Sequence, residues 1–163
     1  MPPELAASPV SAGTLADFTS SDLIVAPLRE RDAAGIIGEL SRVLKQADCV
    51  PDILSFYQAA LNQELFSDSA ARYGIAVAHA RLSGVKRLQF ALGRAPDPVV
   101  WGAKGSWPVR LIFLLTVPAT EVTRYLNLLS RLARLAQNQE AVEKMLAAPD
   151  ADAILTVLKE SNL

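Results

Sequence analysis

His79 is the one histidine of the chain, and it follows a short apolar run in the segment YGIAVAHARLSGV, between Ala78 and Ala80. Small neighbours leave an imidazole accessible to another protein. Arg81 stands two residues on; in an extended strand both side chains share a face, about 7 Å apart. A cation at that spacing favours the neutral, nucleophilic imidazole and stabilises a dianionic phosphoryl group carried on it. A lone histidine that merely caps or packs is the alternative that spacing leaves open.

Other chemistry finds less support. One histidine and one cysteine, Cys49, cannot supply the three or four nitrogen and sulfur ligands of a zinc site, so no intrinsic metal is expected. Neither GxGxxG nor GxxxxGK[ST] occurs, which leaves a nucleotide phosphate loop and a bound cofactor unsupported. No GxSxG elbow accompanies a Ser-His-Asp arrangement. Cys49 has no partner for an intramolecular disulfide and fits a reducing compartment; its setting at a helix end, ADCVP, favours packing over nucleophilic work.

The 163 residues, 51% hydrophobic and 20% charged, suit one domain with a sizeable core. A balance of 16 basic against 17 acidic side chains gives no footprint for a nucleic acid. Neither a secretory leader nor a membrane-spanning run is present, so the expectation is a cytoplasmic protein without membrane insertion.

The elements that must position His79 follow from periodicity. Residues 1–20, rich in Pro, Ala and Ser, read as a flexible tail ahead of a domain at 21–163. Leu23 to Leu28 is a candidate strand. A helix from Asp32 carries Ile36, Ile37, Leu40, Val43 and Leu44; a second, opened by Pro51, carries Ile53, Leu54, Tyr57, Leu61 and Leu65. Three strands follow, at Gly74 to Val77, Val85 to Leu92 and Val109 to Val117, the last two expected to pair, with the last the more buried because its apolar residues do not alternate with polar ones. The intervening RAPDPVVWGAKGSWPV reads as a turn-rich loop too broken for a long regular element. Capped by Thr120, a helix then carries Val122, Tyr125, Leu126, Leu129, Leu132, Ala133 and Ala136, and shorter helices are expected at about 138–147 and 150–160. The sum is an α/β domain, a single mixed sheet flanked by helices on both faces.

Two segments carry a resemblance. GIAVAHAR, and the run VVWGAKGSWPVRLIFLLTVPATEVTRYLNLLSRLARLA, resemble the enzyme IIA domains of the fructose, mannitol and nitrogen-regulatory branch of the bacterial phosphotransferase system, over about residues 20–160. The resemblance implies that His79 is a phospho-acceptor supplied by a small HPr-like phosphocarrier, which then serves a IIB permease domain or a regulated protein. It places Arg81, Glu64, Ser69 and Tyr125 around that histidine. The chain departs from the pattern in four places. Ala78 replaces the usual proline, Gln63 the usual arginine, and Ser69-Ala70-Ala71-Arg72 a glycine turn, while Tyr125 stands where a second histidine is common. Arg72 and Arg81 are candidate compensating cations, with a solvated surface charge the other reading of each. A second hypothesis therefore keeps the fold without the transfer chemistry, as a protein-binding regulatory module.

Overall fold

The structure is a computed structural model, and it describes residues 13–63, 73–101, 107–161 and 163. After two 3-10 turns, Leu15–Phe18 and Ser21–Leu23, the order is β1 (Ile24–Val25), α1 (Ala33–Gln46), α2 (Ile53–Gln63), β2 (Ile75–Leu82), β3 (Gln89–Trp101), β4 (Trp107–Pro118), α3 (Val122–Gln137), α4 (Gln139–Ala147) and α5 (Ala151–Glu160). The mixed sheet runs β1-β3-β4-β2. β3 and β4 form the antiparallel centre, Phe90 opposite Leu115 and Leu92 opposite Phe113, while β1 joins β3 and β2 joins β4 in parallel.

The unbroken apolar run of β4 is explained by burial on both sides. Leu111, Phe113, Leu115 and Val117 pack with Leu128, Leu132, Met145, Ile154 and Leu158 of α3, α4 and α5. Ile112 and Leu114 pack with Ile36, Leu40, Leu44, Phe56 and Ala60 of α1 and α2. β2 is thinner on this second side, where Ala76, Ala78 and Ala80 are all fully buried.

Local chemistry sets the element ends. Asp32 accepts from the Gly35 amide at 2.7 Å and Asp150 from the Ala153 amide at 2.9 Å, satisfying first-turn donors that have no helical partner. Gly74, at φ +85, makes the left-handed entry to β2, and its carbonyl accepts from the Arg110 amide at 3.1 Å.

Five expectations need correction. The tail is shorter than 1–20: Leu15 and Phe18 are buried in the core, and the Gly13 carbonyl accepts from buried Arg131 at 2.9 Å. In α2 the buried stripe is Phe56 and Ala60, with Leu54 60% exposed, because the helix turns its aromatic ring inward and its leucine out. In α3 the stripe is likewise rotated onto Leu128, Leu132, Leu135 and Ala136, leaving Val122, Leu126 and Ala133 exposed. That helix is not capped by Thr120; Glu121 holds the N-cap position and bonds Arg124 at 2.8 Å instead. Finally, the presumed loop after Gly93 is strand: β3 continues to Trp101 through an irregularity between Arg94 and Val99, where Arg110 Nε donates to the Ala95 carbonyl at 3.0 Å. Residues 102–106 of that loop lie outside the described residues.

Candidate functional site

β2 is the edge strand next to β4, and its residues alternate between the two layers. Ala76, Ala78 and Ala80 turn toward α1 and α2, so Ile75, Val77, His79 and Arg81 turn toward α3. His79 stands level with Leu115 of β4 and Arg81 level with Val117. His79 is partly buried and Arg81 exposed, so the ring sits where the sheet's edge meets solvent.

α3 brings Tyr125 over it. The Tyr125 hydroxyl is 3.2 Å from His79 Nδ1, and the rings lie 5.1 Å apart, tilted by 49°. Partial burial pushes the His79 pKa down, which holds the ring neutral near pH 7. Burial also pushes the Tyr125 phenol up, against the opposing charge of Arg81, so the phenol keeps its proton. In neutral histidine one ring nitrogen carries hydrogen and the other a lone pair. The Tyr125 hydroxyl can serve either tautomer; in the one where Nδ1–H donates to Tyr125 Oη, the lone pair is on Nε2.

Arg81 has a second task. Its Nη2 donates at 2.8 Å to the Ala119 carbonyl, in the turn between β4 and α3. The Tyr125 amide in turn donates at 3.0 Å to the Glu121 carbonyl, closing the first turn of α3. Arg81 thus fixes the turn that aims Tyr125. Ala119 went unseen in the sequence because a backbone carbonyl has no residue signature. Burial holds His79 neutral, where spacing had pointed to the Arg81 cation for that role. Glu64, Ser69 and Arg72 lie outside the described residues, as does the Gln63 side chain.

A mixed sheet between two helical layers, with one partly buried imidazole on an edge strand beneath an aromatic hydroxyl, defines an α/β domain with a single histidine at the sheet's edge. Residues 17–161 match the family described as "Phosphoenolpyruvate-dependent sugar phosphotransferase system, EIIA 2", and the chain belongs to it. It is 27% identical over 135 residues to the fructose-specific EIIABC component of the phosphotransferase system of Bacillus subtilis, covering 83% of this chain and 21% of that protein. The fold is shared with the nitrogen regulatory protein IIA-Ntr of Neisseria meningitidis, at TM-score 0.79 and 23% identity, covering 88% of this chain and 98% of that one. It is shared too with the mannitol enzyme IIA of Escherichia coli, in its complex with phosphorylated enzyme IIB, at TM-score 0.71 and 16% identity, covering 85% of this chain and 95% of that one. Among the described residues no helix is long and apolar enough to cross a membrane.

Proposed function

We propose that this EIIA domain is a cytoplasmic phosphohistidine carrier, with Nε2 of His79 as the acceptor. The contact of the Tyr125 hydroxyl with Nδ1 supports this reading best, because a hydroxyl accepting from Nδ1–H would put the reactive lone pair on Nε2. The donor is an HPr-like phosphocarrier. Its P–N bond breaks as the bond from phosphorus to Nε2 forms, and its own ring leaves as neutral imidazole, keeping the proton on its second nitrogen. The Nδ1 proton of His79 stays in place, held by Tyr125 Oη, so the ring gains positive charge beside the phosphoryl dianion it now bears. Arg81, with one of its five N–H donors on Ala119, has others to turn to the phosphoryl oxygens. The group then passes to a IIB domain, as suggested by the IIB complex of the mannitol enzyme, or its presence controls a regulated protein.

Incubation with phosphoenolpyruvate, the first enzyme of the system and the carrier, read by intact mass under basic conditions, tests this. One added phosphoryl group that is lost in His79→Ala is the expected result; an unlabelled wild type overturns it.

The second reading, a binding module that takes no phosphoryl group, is favoured by two observations. Tyr125 cannot become a cation as a second histidine can, and the guanidinium of Arg81 is already bonded to Ala119. Under that reading the wild type stays unlabelled, and Gln63→Arg with Ala78→Pro, which restores the family pattern, gains the label.

A further inference from the structure

The helical layer on the far side of the sheet from α3 holds a cavity that the His79 site does not use. Between α1 and α2 lies a groove of about 320 Å³, with Ala34, Gly35 and Gly38 of α1 on one side and Ile53, Leu54 and Tyr57 of α2 on the other. Ser41, whose buried hydroxyl also lines it, is already satisfied, donating to the Ile37 carbonyl at 2.7 Å. The Tyr57 ring rests against bare helix, since a Cβ on Gly38 would lie 3.3 Å from it. Leu54 on the rim is 60% exposed. A concave space of this size with apolar walls is on the scale of a small-molecule pocket.

Charges of opposite sign stand at its two ends. At one, Glu30 Oε1 and Asp32 Oδ1 lie 2.6 and 2.9 Å from the point that a Cβ on Gly35 would occupy, so two carboxylates converge there. Asp32 accepts from the Gly35 amide, whereas the Glu30 carboxylate has neither a hydrogen bond nor an ion pair among the described residues. The main chain beneath it is pinned, because the Glu30 amide donates to Glu39 Oε1 at 3.0 Å. At the other end is exposed Arg42, also unpaired among the described residues. It stands about 10.5 Å further along α1 than Gly35, at 1.5 Å per residue.

We propose that this groove binds a small zwitterion with an apolar body, of the size of a free tripeptide, its ammonium on Glu30 and its carboxylate on Arg42. An ammonium brings three donors to a corner of carboxylates, and a guanidinium takes a carboxylate through two parallel bonds. Three extended residues span about 10 Å, the separation of the two ends. An apolar side chain resting on Tyr57 and Leu54 supplies the main attraction, because exposed charge pairs are singly worth little. The sheet separates this groove from α3, and the proposal does not rest on the carrier reading of His79.

The experiment titrates the tripeptide Ala-Leu-Ala into the ¹⁵N-labelled domain. Amide shifts should centre on Ala34, Gly38, Leu54 and Tyr57, with a Kd of about 0.1 mM, the affinity open to a ligand of about twenty heavy atoms. Triglycine, without the apolar side chain, should bind about tenfold more weakly. Acetylating the amino end, or amidating the carboxyl end, should each weaken binding about fivefold. Glu30→Gln should weaken the free peptide by the same factor and leave the acetylated one unchanged; Arg42→Gln should do so for the amidated one. Ala34→Trp, at an exposed helix position, should plug the groove and abolish the shifts, with the His79 ring resonance reporting an intact fold. Should that variant not fold, the two surface variants still decide the question through the capped peptides. No binding up to about 5 mM overturns the proposal. So do caps without effect, triglycine binding as tightly, or shifts centred elsewhere.

Discussion

Tyr125 holds its hydroxyl 3.2 Å from Nδ1 of His79, across 46 residues of sequence. The hydroxyl can accept from Nδ1–H, in the tautomer that carries its lone pair on Nε2. Replacing the hydroxyl by hydrogen in Tyr125→Phe keeps the ring over His79 and removes the acceptor for Nδ1–H. Labelling should slow about fivefold, the worth of one ordinary hydrogen bond. Equal rates would show that the tautomer is set elsewhere.

With a single histidine in the chain, the imidazole titration is read from one NMR resonance. Burial puts its midpoint below the ordinary value of about 6.5. Because the folded ring binds its proton more weakly, acid loads the unfolded chain first. The contribution to stability is whole above about pH 6.5 and is lost as pH falls through the lower folded value. Chemical denaturation across that range should show the decline, and His79→Gln should flatten it. A midpoint at or above 6.5 would contradict the burial argument.

Arg81→Ala removes both a cation near His79, the proposed acceptor, and the tether on Ala119. Labelling should slow, or the label's lifetime shorten, by about tenfold to a hundredfold, the worth of a charged hydrogen bond. Arg81→Lys separates the two tasks: a point charge restores part of the phosphoryl effect without the planar fork. An unchanged rate in Arg81→Ala would move the search for the cation to Arg72.

Much of this fold was legible because burial writes simple patterns. The apolar run Leu111 to Leu115 signalled a strand covered on both faces, and Ile36, Ile37, Leu40 and Leu44 signalled α1. Where several apolar residues compete for one face, period alone misplaces the stripe. Phe56 displaces Leu54 in α2, and Leu128 and Leu135 displace Leu126 and Ala133 in α3. In the site, the pairing of His79 with Tyr125 was reached only through the family pattern. The bond from Arg81 to Ala119 was not reached at all, since its acceptor is backbone. Turn residues misled at Pro96 and Pro98, where a long hairpin arm absorbs the irregularity and keeps pairing at Val99.

Stability has its own tight point at Gly93, which pairs with Val25 and Ile112 in the middle of the sheet. A Cβ there would lie 2.7 Å from both Cδ atoms of Leu28, a buried side chain with little room to yield. Gly93→Ala should cost about 1–3 kcal/mol by overpacking, measured by urea denaturation. The double change Gly93→Ala with Leu28→Val should recover part of that loss.

The three alanines behind His79 have a consequence for tolerance. Ala76, Ala78 and Ala80 let α1 and α2 lie close against β2, so the depth at which the imidazole stands is set by the thickness of its rear packing. A valine or leucine at Ala78 would wedge the strand off that layer and press the ring toward α3, spoiling its 3.2 Å spacing from the Tyr125 hydroxyl. The position of the imidazole is in this sense gauged from behind, by side chains that never see it.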